Sequence, residues 1–211
     1  DRASFQRSFD SAARIFGFAN GWYAQYGGHW NVPLHDFDSI GQYPPENAYI
    51  LAEDKITRHP VEAGVGGVHS SELLADAAID FLDQRQNGDY DAPTKPFFMY
   101  LSFVAPHDPR QSPNEFEEMY SSESVALPDN ALPRHPFDNG ALHVRDETLE
   151  AWPRRPHSVH RHIADYYAMI SDADAQIGRV IEKLKADGEY ENTLIIFAGD
   201  NGLAVGQHGL M

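Results

Sequence analysis

The chain contains no cysteine. That absence removes disulfides, thiolate metal sites and thiol nucleophiles from these residues, and it leaves the compartment open. Basic residues are scarce: 16 Lys and Arg stand against 32 Asp and Glu, a formal charge of −16. Non-specific nucleic-acid binding needs basic surface, so this balance argues against it. Small anionic substrates stay open, because local charge at a site can oppose the net charge. No apolar run approaches the roughly 20 residues of a membrane span. The chain starts at Asp1 with no signal-like segment, which suggests an N-terminus removed or lying upstream. There is no Gly-x-Ser-x-Gly nucleophile elbow and no phosphate-cradling glycine loop.

Hydrophobic residues make up 42% of 211, enough for a sizeable core in one domain or one large piece of a domain. Residues 1–69 are rich in glycine, aromatics and turns, as in "ARIFGFANGWYAQYGGHW", and show no lasting period. Residues 70–86, "SSELLADAAIDFLDQRQ", read as a helix. Leu73, Leu74, Ala77, Ala78, Phe81 and Leu82 fall on one face, with Ser70 or Ser71 as N-cap and Asn87-Gly88 as the stop. "FFMYLSFV", Phe97 to Val104, is uncharged and suits a buried strand. Residues 105–156 hold eight of the fourteen prolines and little periodicity, which predicts a surface excursion with one short helix near Asn114–Tyr120.

Residues 158–187 predict the longest helix, with Ile163, Tyr166, Ile170, Ala173, Ile177, Val180, Ile181 and Leu184 on its apolar face and Gly188 at its end. "TLIIFA", Thr193 to Ala198, predicts a second buried strand. Uncharged strands alternating with amphipathic helices imply an α/β fold with a mainly parallel sheet sandwiched between helices. Ligands in such folds bind beyond the carboxyl ends of the strands. The two visible strand tips carry "APHDP" and "GDNG".

Asp200 and Asn201 in "GDNG" are adjacent hard oxygen donors, suited to Ca²⁺ or Mg²⁺. The same residues also suit a plain strand-ending turn, and two ligands fall short of the about six to eight oxygens that Ca²⁺ takes. His107, stiffened between Pro106 and Pro109, has the chemistry to donate to an anion or protonate a leaving group. It equally suits a histidine bonded to a neighbouring carbonyl. His208 in "GQHGL" lies seven residues after Asn201 and either approaches the same pocket or is an ordinary loop histidine. No other histidine pair shows metal spacing; His160 and His162, two apart, do not share a helix face.

Taken in order, "SSELLADAAIDFLDQ", "KPFFMYLSFVAPHDP" and "YYAMISDADAQIGRVIEKLKADGEYENTLIIFAGDNGLAVGQHGL" resemble the formylglycine-dependent sulfatases of the alkaline phosphatase superfamily. Residues 70–109 and 163–210 carry nearly all of the likeness. The resemblance implies that Asp200 and Asn201 bind the divalent cation, usually calcium. It implies that His107 contacts the sulfate ester and assists the leaving group, and that His208 sits beside the pocket.

The family's N-terminal Asp-Asp pair, its Cys/Ser-x-Pro-x-Arg motif that yields formylglycine, and its Gly-Lys-Trp-His-like segment do not occur here. The resemblance therefore places 1–211 as a single partial catalytic domain. Its parts are loop-rich 1–69, helix and strand 70–109, a variable excursion 110–157, and a helix, strand and metal-site tip 158–211. The nucleophile would precede Asp1 and a lysine would follow Met211, so the chain alone is expected to be inactive.

The implied substrate is a sulfated small molecule or carbohydrate, with no nucleic-acid or membrane partner and a periplasmic or secreted location. Trp22, Tyr23, Trp30 and Trp152 either stack on a sugar or pack the excursions. A phosphodiesterase or phosphonate hydrolase of the same superfamily is the alternative enzyme, and a non-catalytic pseudo-enzyme domain the alternative class.

Overall fold

The structure is a computed structural model and describes residues 49–51, 58–60, 69–88, 96–108, 110–138, 140–144 and 146–211. Two short strands come first, β1 (Tyr49–Leu51) and β2 (Arg58–Pro60), paired antiparallel with Ile50 opposite His59. This pair is an element that the loop-rich reading of residues 1–69 did not anticipate; apart from His69, the rest of that stretch, including Trp22, Tyr23 and Trp30, lies outside the described residues. Three α-helices come next among the described residues: α1 (Ser70–Gln86), α2 (Asn114–Glu117) and α3 (Pro156–Ala186). Single 3₁₀ turns span Ala141–His143, Asp146–Leu149 and Tyr190–Asn192.

Helix α1 spans the residues its apolar period predicts. Its N-cap is His69, not Ser70 or Ser71, and the imidazole faces the Ser71 N–H at 3.3 Å. At the other end Asn87 caps the helix and Gly88 takes the left-handed φ of +87°, a conformation cheap only for glycine. Helix α3 begins at Pro156, two residues before its expected start. Proline suits the first turn, where its missing N–H would lack a partner anyway.

At 31 residues, about 46 Å long by helical rise, α3 is the spine of the molecule. Three apolar clusters sit along it. Val180 and Leu184 near its C-terminus pack against Ala75, Ala78 and Leu82 of α1. Met169 and Ala173 in its middle hold Ala105. Val159, Ile163 and Ala164 near its start meet Val125 of the excursion and Val205 of the tail. Ion pairs Lys183–Asp83 (2.6 Å) and Arg179–Asp76 (2.5 Å) line the rim of the α1–α3 contact. Ile170, expected on the apolar face, is 41% exposed, while His162 and Asp172 are fully buried. The helix therefore buries a polar strip as well as an oily one, and periodicity of apolar residues alone does not show that strip.

The two expected strands correct the sequence reading. Neither 97–104 nor 193–198 forms a ladder among the described residues. Burial along 97–101 still alternates as a strand's would. Phe97, Met99 and Leu101 pack on the α1–α3 core, whereas Phe98 and Tyr100 are each 70% exposed. The second run does not alternate: Leu194, Ile195, Ile196 and Phe197 are all exposed. A parallel sheet strand is covered on both faces and bonded along both edges. Around 97–101 the helices cover one face and the other is open, while 194–197 are exposed. The mainly parallel sheet is thus not formed among the described residues, although Phe97, Met99 and Leu101 of the first strand sequence pack on the helix pair. No described helix is long and apolar enough to cross a membrane.

Candidate functional site

The loop carrying His107 turns sharply at the end of the first extended run. The His107 N–H donates to the Val104 carbonyl at 3.0 Å. Its ring Nδ1 lies 3.0 Å from the Asp108 carbonyl; a carbonyl only accepts, so Nδ1 donates. The ring itself is exposed.

The segment just after the histidine is buried and charged. Asp108 and Arg110 are only 4% and 5% exposed, with Arg110 Nε 3.2 Å from the Asp108 carboxylate. Arg110 also reaches Nδ1 of His162 on α3. His162 Nε2 in turn faces Glu150 of the excursion at 3.4 Å. Burial, then the nearby Arg110, Arg154 and Arg161 charges, press the His162 pKa down to about 3. A neutral imidazole accepting from Arg110 at Nδ1 carries its proton on Nε2, toward Glu150. One turn further, burial raises the Asp165 carboxyl to about 6, opposed by Arg161 and helped by Glu117.

A second buried knot lies beside it. One ring nitrogen of His69 is 2.8 Å from the Asp172 carboxylate and the other 3.1 Å from the Gln111 carbonyl. Burial would raise the Asp172 carboxyl, yet His69, Ser71 and Gln176 hold it below the ordinary carboxylate range. Thus the start of α1, the segment after His107 and the middle of α3 share one buried polar contact set.

The other tip is open. Asp200 and Asn201 are both exposed, and Asn201 Nδ2 donates to the Gly202 carbonyl at 3.2 Å. Beyond it the chain curls through left-handed backbone at Val205 (φ 44°), Gly206, His208 (φ 54°) and Gly209. A β-branched residue at positive φ is strained, so surrounding contacts must enforce this turn. Those contacts come from the excursion. The His208 N–H donates to the Asn130 carbonyl, and Ala131 bridges Gln207. Arg154 Nε donates to the Gly209 carbonyl at 3.3 Å while its Nη2 pairs with Glu147 at 2.7 Å. Glu147 also accepts the Met211 N–H at 3.2 Å. A side chain at Gly209 would have its Cβ 2.7 Å from the Arg134 and His135 backbone, so only glycine fits there. Trp152, read as either a sugar-stacking or a packing residue, carries the Arg154 guanidinium 3.6 Å from its ring centre.

The family model for sulfatases matches residues 9–210. This chain belongs to the sulfatase family. An arylsulfatase of Clostridium perfringens is 31% identical over 144 residues, covering 67% of this chain and 28% of that protein. PehA of Trinickia caryophylli, a multifunctional alkaline phosphatase superfamily protein, is 27% identical over 90% of this chain and 37% of its own length. Mouse iduronate 2-sulfatase is 24% identical, covering 87% and 43%. The chain spans less than half the length of each of these relatives.

Membership brings the family's α/β, alkaline-phosphatase-like fold class. Among the described residues, no group of three or more His, Cys, Asp or Glu is spaced to hold a metal ion. Asp200 and Asn201 fit a hard divalent cation in kind, as exposed, adjacent oxygen donors, and fall short of it in number. The hydrogen bonds of His208 run to the excursion, and those of the His107 segment run to α1 and α3. Sequence reasoning missed Arg110, His162 and the His69–Asp172 pair. Arg110 and His162 lie 52 positions apart, and no short-range pattern joins them.

Proposed function

We propose that this chain is the central part of a sulfuric ester hydrolase. The observation that carries the reading is the family match over residues 9–210 with the "APHDP" and "GDNG" segments in family order at the ends of two apolar runs. In this reading His107 binds the sulfate ester and lends a proton toward the departing alcohol. Asp200 and Asn201 would hold a calcium or magnesium ion, which when bound supplies positive charge for the sulfate oxygens. His208 borders the same pocket. The nucleophile, a formylglycine in the family, is expected outside these residues.

Substrates are sulfated small molecules or carbohydrates, in line with relatives named as an arylsulfatase and an iduronate 2-sulfatase. A periplasmic or secreted location belongs to the same proposal and rests on the family resemblance. The multifunctional relative PehA favours keeping a phosphodiester or phosphonate ester as the second substrate class.

The deciding assay uses a longer polypeptide that carries this chain together with the upstream nucleophile segment. It is offered a chromogenic aryl sulfate and the matching aryl phosphodiester. Sulfate release should dominate, and His107→Ala should lower kcat about 10²- to 10⁴-fold, as loss of a general acid does. Preference for the phosphodiester would replace the first reading with the second. The 211-residue chain alone should release no sulfate.

A further inference from the structure

The tail histidine is held at three points by the excursion. Its N–H donates 2.9 Å to the Asn130 carbonyl, its ring Nε2 lies 3.0 Å from Asn130 Nδ2, and its own carbonyl accepts from His135 Nδ1 at 2.9 Å. His208 also sits at φ 54°, a conformation that costs a non-glycine residue energy and persists only where neighbours impose it. Asn130 is 78 positions away in sequence and reaches both the backbone and the ring. An amide Nδ2 only donates. Nε2 of His208 must therefore accept with its lone pair, and the proton of the neutral ring is left on Nδ1.

We infer that Asn130 is a positioning residue that fixes His208 as the Nδ1–H tautomer and so makes it a hydrogen-bond donor. An imidazole in this state, with Nε2 engaged, serves neither as a metal ligand through Nε2 nor as a base there. What it offers is one N–H, at Nδ1, for which no partner occurs among the described residues. Its chemical match is an anionic oxygen, as on a sulfate or phosphate ester. The orientation of this donor toward substrate rests on the hydrolase reading; the tautomer and its dependence on Asn130 do not.

Long-range ¹H–¹⁵N correlation spectra of the ¹⁵N-histidine-labelled chain, taken above the ordinary histidine titration range, read the tautomer directly. The His208 signals are identified by their loss in His208→Gln. The wild-type chain should show a protonated Nδ1 and a bare Nε2. Asn130→Asp puts an acceptor where the donor was and should reverse the pattern, placing the proton on Nε2. Asn130→Ala should abolish the preference. A wild-type His208 protonated on Nε2, or an unchanged pattern in Asn130→Asp, overturns the inference. The wild-type spectrum decides the tautomer on its own, so an unfolded variant offers the idea no shelter. An inactive enzyme with the expected spectra would sink the hydrolase reading and leave this one standing.

Discussion

The Arg110 guanidinium donates to Nδ1 of His162, a contact that joins the segment after His107 to the helix that organises the rest of the molecule. Both side chains are buried. The pair therefore works only while His162 stays neutral, and burial with three nearby arginines keeps it so down to about pH 3.

Acid should undo this contact. An unfolded chain takes up the His162 proton near 6.5, whereas the folded chain resists it until about 3. Stability is therefore present above 6.5 and lost as pH falls toward 3, by as much as ~5 kcal/mol from this group. His162→Asn keeps an acceptor for Arg110 and does not titrate. Urea unfolding at several pH values should show a flatter acid limb in the variant. An unchanged limb would mean that His162 is protonated in the fold.

Asp165 should act with the opposite sign. The folded chain keeps its proton up to about pH 6, while an unfolded chain releases it near 3.8. Stability from this group falls as pH rises through that window. Asp165→Asn removes the burial cost of the charge, so it should stabilise by up to ~3 kcal/mol at pH 7 and have no effect near pH 3.5. Thermal unfolding at the two pH values distinguishes this from a generic substitution effect, which would be alike at both.

The contrast between the packed helix pair and the exposed second run has its own test. Leu82 is 2% exposed between α1 and α3, and Phe197 is 83% exposed. Leu82→Ala should cost about 2–5 kcal/mol. Phe197→Ser should stay within about 0.5 kcal/mol. A large loss at Phe197 would show that the outward face is covered in solution.

Metal binding should be weak or absent in the chain taken alone. Asp200 and Asn201 supply two oxygens, and calcium asks for about six to eight. Calorimetric titration with Ca²⁺ should give little heat, unchanged by Asp200→Ala. Tight binding abolished by that substitution would mean that further donors of this chain complete the site.

Much of the helical frame was legible from sequence. The period of Leu74, Ala78 and Leu82 marks α1, and the same logic marks α3, because an amphipathic helix writes its buried face into every third or fourth position. The two apolar runs ending in "APHDP" and "GDNG" were equally plain. Their assembly into a sheet was not decided there, since a strand is completed by neighbours that can lie anywhere in a chain. The site divided in the same way. His107, Asp200, Asn201 and His208 stood out by residue type and by family resemblance.

Asn130, Arg110, His162 and the His69–Asp172 pair did not stand out, because each finds its partner 42 or more residues away or, for His69 and Asp172, on separate helical segments. Residue type and local period are properties of short stretches, so the sequence alone determined the helices, the uncharged runs, the absence of thiol chemistry and the family. Which polar groups are buried together, which face of the first run is covered, and which nitrogen of His208 is engaged depend on distant parts of the chain meeting in space, and only the tertiary structure decided them.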